Sequence, residues 1–272
     1  MVIVALQMVL VKMCTDTDKI TLPAIEDMGR DFWSKLGRSK IFFGHQSVGY
    51  NIVDGVTDLL KDFNYINLNL AETCDPVQFG QPIFAHAQVG RNMDPLSKIQ
   101  SFEEILDSGV GDSIDIAFFK FCYVDIFRDS NPAEIFDNYI ATMDGLKDRY
   151  PRTKFLHVTV PIRSLPKSAV GGLKQSIKSL VGRPGVLDDN MVRERYNRLL
   201  TDTYSGTEPL FDLAMVESVN SKGFRCHKGK GSQKVCVMAP EYTDDGGHLN
   251  AVGRRRVAEQ LLVILAEVAN NP

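Results

Sequence analysis

The chain has 272 residues, of which 44% are hydrophobic and 24% are charged. These values are ordinary for a globular protein, and the length suits one large domain with a sizeable core. The formal net charge is −3, so the chain lacks the basic excess that a nucleic-acid partner would favour.

The first eleven residues are apolar apart from Gln7. This run is too short to span a bilayer. No basic region precedes it and no clear cleavage site follows it, so it is either a shortened export signal or an ordinary N-terminal strand. We therefore expect an N-terminal segment at residues 1–30, no membrane span, and a single domain at residues 31–272.

Short apolar runs alternate with helical patterns along the rest of the chain. Strands are predicted at Lys40–Gly44, Ile66–Leu70, Ile114–Cys122, Phe155–Val160 and Leu210–Ala214. Helices are predicted at Val48–Phe63, Pro132–Tyr150 with Asn131 as N-cap, Leu187–Thr203 and Ala251–Ala269. Strands separated by helices indicate right-handed crossovers and a parallel sheet. The predicted fold class is α/β: a three-layer α/β/α sandwich, flavodoxin-like, with about five parallel strands and a site at their carboxyl ends.

Two of the five cysteines bear on the compartment. Cys226 and Cys236 flank a strong turn signal at residues 228–232. In a hairpin centred on Gly231 they lie opposite each other and are close enough to form a disulfide. That pairing favours export to an oxidising compartment over the cytoplasm, whereas two free thiols fit a cytoplasmic protein. A zinc site here lacks the paired C-x-x-C element.

Two segments far apart in the sequence carry candidate chemistry. Asp245 and His248 share a glycine-bearing loop before the last helix, and a carboxylate on the far nitrogen of a histidine fixes its tautomer and stabilises the imidazolium. Ser47 follows the first strand, where its hydroxyl is exposed and its N–H lies near a helix N-terminus. Serine is also a favoured cap, so Ser47 is either a nucleophile or the N-cap of the next helix.

With these residues in this order, the chain from about Lys40 to Val268 resembles the SGNH hydrolases, the GDSL-type esterase and lipase superfamily. The segment Asp245-x-x-His248-Leu-Asn-x-x-Gly is the most specific part of the resemblance. The resemblance implies that Ser47 is the nucleophile, His248 the general base and Asp245 its orienting carboxylate. It also implies an oxyanion hole built from the N–H groups of Ser47 and Gly90.

The sequence departs from the family pattern in two places. The usual Gly-Asp-Ser is one residue longer here, at residues 44–47, and a literal Gly-Asp-Ser at residues 111–113 precedes the third predicted strand and is interpreted as a coincidence. The asparagine that serves as an oxyanion donor in the family is replaced by Val124. Lys120 and Tyr123 are the candidate replacements. If Lys120 is not an oxyanion donor, its side chain either extends to the sheet edge or pairs with a structural carboxylate.

Other polar residues near these motifs are candidates for binding substrate: His45, Gln46, Arg91, Asn92 and Asp125. His45 either lines the pocket or bonds to backbone. Arg91 either holds an acidic or hydroxylated substrate or forms a surface ion pair. Asp125 is a partner for Tyr123 or a helix-capping acid. His86 and His157 are expected to be core histidines, and Asp244 is the alternative partner of His248.

These residues favour a serine hydrolase that cleaves an ester, with an O-acyl or O-acetyl ester of a carbohydrate as the first expected substrate. The partner is then a small-molecule or carbohydrate ester, and the chemistry needs no metal or organic cofactor. The alternative is a carbohydrate-binding or assembly protein on the same scaffold with a weakened oxyanion hole. A glycoside- or phosphoester-cleaving enzyme lacks a clear second catalytic carboxylate. The oligomeric state stays open.

Overall fold

The computed structural model describes residues 19–165, 185–230 and 233–271. The apolar run at residues 1–11, Cys14 and the centre of the turn at residues 231–232 lie outside these ranges. Within the described ranges, no helix combines the length and the apolar character needed to cross a membrane.

Five parallel strands form the central sheet in the order β2-β3-β1-β4-β5. A short parallel pair, β6 and β7, continues from β5, and the antiparallel hairpin β8–β9 lies outside the sheet. The strands are β1 Lys40–His45, β2 Leu70–Glu72, β3 Ile83–Gln88, β4 Ile116–Phe119, β5 Lys154–Phe155, β6 His157–Val158, β7 Leu210–Phe211, β8 His227–Lys230 and β9 Gln233–Cys236.

Helices cover both faces of the sheet. They are α1 Arg30–Leu36, α2 Val48–Asp62, α3 Pro95–Ile105, α4 Pro132–Arg149, α5 Val186–Tyr204, α6 Leu213–Ser218 and α7 Ala251–Asn270. One core lies under α1, α2, α6 and α7, and a second lies under α3, α4 and α5. Successive strand side chains point to opposite faces, so Phe43 stacks on Phe118 in the first core while Phe42 stacks on Phe102 in the second. The predicted three-layer α/β/α, flavodoxin-like class is confirmed.

The helices predicted over α2, α4, α5 and α7 begin and end within one or two residues of the observed bounds. The predicted cap of α4 is also present, since the side chain of Asn131 accepts a hydrogen bond from the N–H of Glu134. The strand predictions need more correction. The strand expected at Ile66–Leu70 begins only at Leu70, and the strand Ile83–Gln88 was missed although it pairs with β1 along its full length.

Local chemistry explains these differences. In the β3 segment His86 interrupts the apolar run that marks a buried strand, and two of the other residues are alanines, which are depleted in strands. The strand expected to continue to Ala214 stops at Phe211 because the Asp212 side chain accepts the N–H of Met215 and starts α6. The strand expected at Phe155–Val160 is divided into β5 and β6 at Leu156.

The cysteine hairpin forms with a shifted register. Cys236 lies opposite His227, and the N–H of Val237 donates to the carbonyl of Cys226. The two cysteines are therefore offset by one position, and they are not joined by a disulfide in the described part of the chain. The argument for an oxidising compartment consequently loses its structural support.

Residues before the predicted domain boundary also pack on the domain. Leu22 and Ile25 are buried in the core beneath α1 and α7. The side chain of Gln260 donates to the carbonyl of Pro23 at 2.7 Å. The packed part of the domain thus extends N-terminal of residue 30.

Candidate active site

Three polar side chains from two loops meet at the carboxyl edge of the sheet. Ser47 stands between β1 and α2, and Asp245 and His248 lie in the loop that precedes α7. The Ser47 hydroxyl is 2.8 Å from Nε2 of His248, and Nδ1 of His248 is 2.6 Å from Oδ2 of Asp245. A carboxylate on Nδ1 selects the tautomer whose Nε2 accepts the serine proton. The arrangement can therefore activate a nucleophile.

The loop around Asp245 keeps this carboxylate charged. Its Oδ1 accepts the N–H groups of Gly247 and His248, each at 2.8 Å, and the Thr243 hydroxyl at 3.2 Å. Burial acts to raise the pKa of Asp245, but the hydrogen bonds from the His248 side chain and from these backbone groups outweigh it and hold the pKa well below its ordinary value. Asp245 is thus available to stabilise an imidazolium on His248.

Ser47 adopts a backbone conformation that few non-glycine residues tolerate. Its φ is 49° and its ψ is −108°, and such conformations cost on the order of 1–3 kcal/mol. Ser47 occupies the N-cap position of α2, yet its side chain makes no capping hydrogen bond. The hydroxyl contacts His248 instead. The capping interpretation of the Ser47 side chain is therefore wrong, and the nucleophile role stays a prediction.

Gly90 follows β3 at a position that only glycine fits. Its φ is +53°, and a Cβ there would lie 2.5 Å from the backbone nitrogen of Lys98. The side-chain amide of Gln46 donates to the carbonyl oxygens of Val89 and Gly90. Gln46, expected to bind substrate, instead ties the Gly90 loop to the Ser47 loop, so the two backbone groups proposed as oxyanion donors lie on joined segments.

Lys120, expected as a direct oxyanion donor, lies below the site. It is fully buried at the end of β4, and its ammonium donates to the carbonyls of Gln46 at 3.1 Å and Phe121 at 3.3 Å and to Sγ of Cys122 at 3.6 Å. Burial lowers the pKa of Lys120, and the nearby charge of Lys98 acts in the same direction. One of its three hydrogen bonds reaches the backbone next to Ser47, and the other two stay within the segment after β4.

Tyr123, the second candidate donor, contacts the histidine loop. Its ring lies edge-on to the His248 ring with centroids 5.9 Å apart, and a Cβ on Gly247 would lie 2.8 Å from its hydroxyl oxygen. The guanidinium groups of Arg163 and Arg193 lie 5.2 and 5.9 Å from its ring centre. Burial raises the pKa of Tyr123, so its hydroxyl stays a donor at neutral pH.

Asp125, expected to bind substrate, partner Tyr123 or cap a helix, is a buried structural group. Its carboxylate forms a 2.6 Å ion pair with Lys98, and both side chains are fully buried. It also accepts the N–H groups of Met93 at 2.8 Å and Cys122 at 2.6 Å. Lys98 donates further to the side-chain oxygen of Asn92 at 2.9 Å. The pair therefore joins the Gly90 loop to the loop after β4 and orients Asn92, which is exposed.

His45, expected to line the pocket, is fully buried beneath it. Its Nε2 lies 3.1 Å from Nδ1 of His86, and burial, together with the charges of Lys120 and His86, lowers the pKa of His45 to about 2. It is therefore a neutral core group. His157, also in the core, lies 2.7 Å from the hydroxyl of Tyr139.

The remaining candidates lie at the surface or at the opposite edge. Arg91 is 81% exposed and pairs with Asp94 at 2.9 Å, which matches the ion-pair alternative. Asp244 accepts the side-chain amide of Asn250 at 3.2 Å, while the carboxylate bonded to His248 is Asp245. The Gly-Asp-Ser at residues 111–113 forms a short turn of helix at the amino end of β4, away from the triad.

Sequence reasoning missed several groups that support the site. Thr243 bonds to Asp245, and Asn51 on α2 accepts the N–H of Leu249 at 3.2 Å. Lys98 had a readable signal, because it occupies a core-facing position of α3 one turn before Phe102. Arg163 and Arg193 had no such signal in the sequence, because nothing in their sequence neighbourhood indicates that both flank Tyr123.

Two members of the triad are open to solvent. The side chains of His248 and Asp245 are 46% and 58% exposed. A groove of about 300 Å³ lies beside the Gly90 loop, and its lining includes Met93, Leu96, Phe127 and Ile135. No group of His, Cys, Asp and Glu side chains within the described ranges is arranged to hold a metal ion.

No protein-family model and no curated protein matches this chain. Among solved structures, a proposed platelet activating factor from Streptococcus pneumonia is 16% identical, with a TM-score of 0.48 over 86% of this chain and 91% of its own. A peptidoglycan O-acetylesterase is 16% identical, with a TM-score of 0.43 over 69% of this chain and 47% of its own. The periplasmic domain of a lipopolysaccharide acetyltransferase from Salmonella ser. Paratyphi A is 10% identical, with a TM-score of 0.39 over 81% and 80%. These are distant likenesses of overall architecture.

Proposed function

We propose that this protein is a serine hydrolase that cleaves a carboxylic ester through an acyl-enzyme on Ser47. One observation carries the proposal: the Ser47 hydroxyl, the His248 imidazole and the Asp245 carboxylate are in consecutive hydrogen-bond contact, at 2.8 and 2.6 Å. A serine that leaves its helix uncapped to meet a histidine, in a backbone conformation that costs free energy, fits a reactive role better than a structural one.

The proposed reaction has two halves. His248 Nε2 accepts the proton of Ser47 as its oxygen bonds to the ester carbonyl carbon, and Asp245 stabilises the imidazolium. The N–H groups of Ser47 and Gly90 bind the developing oxyanion. The intermediate collapses, the C–O bond to the alcohol breaks, and His248 protonates the departing alcohol. Water then attacks the acyl-enzyme with His248 again as base, which releases the carboxylic acid and restores Ser47.

We propose an O-acyl ester of a carbohydrate, with acetyl as the acyl group, as the substrate class. The resemblance to SGNH hydrolases suggests an ester. The exposure of the His248 and Asp245 side chains supports a large hydrophilic alcohol, since solvent reaches these two residues of the site.

Labelling with a fluorophosphonate and mapping of the modified residue test the proposal. We expect modification at Ser47, and we expect Ser47→Ala to lose hydrolysis of p-nitrophenyl acetate and of acetylated sugars. Ser113→Ala is the matched control, because Ser113 belongs to the literal Gly-Asp-Ser at the opposite edge of the sheet. Labelling at another residue, or full activity in Ser47→Ala, would rule the proposal out.

A second candidate is a carbohydrate-binding or assembly protein on the same scaffold. The observation that favours it is Val124, an apolar side chain at the place of the family's asparagine donor. Loss of one oxyanion donor costs about a hundred- to a thousand-fold in rate. Sugar binding by folded protein without a burst of acyl-enzyme would select this candidate over the hydrolase.

We also propose that the protein is exported. Support comes from the apolar run at residues 1–11 alone, since no disulfide joins Cys226 and Cys236 in the described part of the chain. Cell fractionation of the tagged full chain tests it, and recovery only in the cytoplasm would contradict it.

A further inference from the structure

The carbonyl oxygen of Gln46, one residue before the nucleophile, receives three hydrogen bonds. The N–H of Gly49 donates at 3.0 Å, the ammonium of Lys120 at 3.1 Å and the thiol of Cys122 at 3.4 Å. The Gly49 bond belongs to the turn that starts α2. The other two come from the end of β4, although a carbonyl oxygen has only two lone pairs. Two polar side chains after β4 thus converge on one backbone oxygen.

The position of the Gln46 carbonyl oxygen fixes the direction of the Ser47 N–H, because both belong to the same peptide group. The peptide bond is planar, so in a trans peptide the Gln46 carbonyl and the Ser47 N–H point in opposite directions along one plane. The described residues contain no cis peptide bonds. Holding the carbonyl oxygen from below the sheet edge therefore aims the N–H at the opposite side. The same contacts help to hold Ser47 in its costly conformation, with φ at 49°.

The charge of Lys120 adds a second effect. Lys120 is fully buried, and it is absent from the ion pairs found among the described residues. The charges of Asp125 and Glu217 interact with it without direct contact, and a buried ammonium without a direct ion-pair partner is expensive. Its three N–H groups meet three acceptors, the two carbonyls and the Cys122 sulfur. A cation on a peptide oxygen in a water-poor site polarises the peptide and strengthens its N–H as a donor.

We propose that Lys120 is a positioning residue that acts through the Gln46 carbonyl. By orienting and polarising the Ser47 N–H, it strengthens an existing oxyanion donor and so offsets the donor that Val124 does not supply. The proposal rests on the proposed hydrolase function. It involves no contact between Lys120 and the substrate.

Steady-state kinetics of the full chain provide the first test. Lys120→Met should lower kcat by roughly ten- to a hundred-fold, less than complete loss of an oxyanion donor, while KM changes less than about two-fold. Lys120→Arg, which keeps a cationic donor, should recover part of that loss. The matched control is Lys154→Met, because Lys154 also donates to backbone carbonyls, those of Val268 and Asn271 at the end of α7. It should keep the wild-type kcat even if it lowers stability.

The amide proton shift of Ser47, measured by NMR without substrate, separates this proposal from the hydrolase function. Lys120→Met should move it upfield while amides in the middle of α2 stay in place, because a less polarised N–H is less deshielded. Cys122→Ala, which removes the weaker donor, should give a smaller shift in the same direction. If Lys120→Met does not fold, Cys122→Ala tests the proposal in its place.

The outcomes are distinct. If the wild-type protein is inactive and Ser47 resists labelling, yet the amide shifts as described, the hydrolase function fails and the positioning geometry stands. If Ser47 is labelled, but folded Lys120→Met or Cys122→Ala leaves both kcat and the Ser47 amide unchanged, the positioning role is overturned.

Discussion

The hydroxyl of Ser47 lies 2.8 Å from Nε2 of His248, although 201 residues separate the two in the chain. The contact depends on the helices that follow each loop. Asn51 on α2 accepts the N–H of Leu249, and Arg254 on α7 pairs with Asp58 on α2 at 2.7 Å. A Cβ on Gly55 would collide with the carbonyl of Arg254, so α2 and α7 approach closely there. The separation between nucleophile and base is thus set by the packing of two helices.

The carboxylate of Asp245 should be essential for rate and dispensable for folding. We expect Asp245→Asn to lower kcat by on the order of 10³–10⁴-fold, because the amide favours the wrong tautomer of His248 and does not stabilise the imidazolium. Ester hydrolysis measures the loss. Since the hydrogen bonds of the loop hold the pKa of Asp245 well below its ordinary value, wild-type activity between pH 5 and 8 should not depend on the titration of Asp245.

Asp244→Asn is the matched control for this prediction. Asp244 is the exposed neighbour and bonds to Asn250, not to His248. We expect its kcat within about two-fold of the wild type. Equal losses in the two variants would contradict the assignment of Asp245 as the orienting carboxylate.

The strained backbone conformation of Ser47 should lower the free energy of unfolding by a measurable amount. Glycine tolerates a positive φ, so Ser47→Gly removes strain of about 1–3 kcal/mol and loses about 0.5–1 kcal/mol through the greater freedom of the unfolded chain. We expect Ser47→Gly to be inactive and about 1 kcal/mol more stable than the wild type in urea unfolding. Ser47→Ala keeps the Cβ and the strain, so it should be inactive with nearly unchanged stability. A Ser47→Gly variant less stable than Ser47→Ala would show that Ser47 is unstrained.

Gly90 should tolerate no side chain. In Gly90→Ala the positive φ and the approach of the added Cβ to the backbone of Lys98 both oppose the native loop. We expect about 2–4 kcal/mol lower stability and roughly a hundred-fold lower kcat, because the displaced N–H no longer meets the oxyanion. Thermal unfolding and ester hydrolysis measure the two effects.

The control for Gly90→Ala is Gly80→Ala. A Cβ at Gly80 meets no atom within 4 Å, and Gly80 is an exposed residue at the end of the short helical turn Pro76–Gly80, which contributes no residue to the triad. Both its stability and its kcat should stay near those of the wild type. If Gly90→Ala behaves in the same way, the donor role of the Gly90 N–H is wrong.

The sequence predicted the parts of this fold that depend on local signals. The cap at Asn131 and the long amphipathic helices gave element bounds that hold to one or two residues. The loop with Asp245 and His248 was readable because three-residue spacing on a tight turn allows one side chain to reach the other. By contrast, β3 was missed because its burial comes from pairing with β1, a contact that is not local.

The residues around the oxyanion loops were harder to predict because their partners are distant in sequence. Asp125 was expected to bind substrate, partner Tyr123 or cap a helix, but it forms an ion pair with Lys98, 27 residues away in the chain. Lys120 was recognised as anomalous because a lysine stands in an apolar strand, yet its acceptor is a backbone oxygen 74 residues away. A sequence shows that a buried lysine needs an acceptor; which carbonyl serves depends on how β1 and β4 pair.

Glu217 should give the protein a pH-dependent stability. It is fully buried on α6, where one carboxylate oxygen accepts the N–H of Ile162 at 2.8 Å and the other has no hydrogen-bond partner. Burial raises the pKa of Glu217 from its ordinary 4.5 to about 8, against the lowering effects of the Ile162 bond and of the charges of Lys120 and Arg193. The folded state therefore holds a proton that the unfolded state releases at lower pH.

The direction of the pH dependence follows from this difference in the pKa of Glu217 between the folded and unfolded states. Between about pH 4.5 and pH 8 the unfolded state binds fewer protons than the folded state, so the contribution of Glu217 to stability is fully present below pH 4.5 and is lost as the pH rises. Each unit of pKa difference corresponds to about 1.4 kcal/mol. Urea unfolding at pH 5 and pH 8 should show a decline in the wild type that is smaller in Glu217→Gln, which does not ionise. Glu26→Gln, at an exposed position, should decline as the wild type does. An undiminished decline in Glu217→Gln would mean that Glu217 titrates normally in the folded protein.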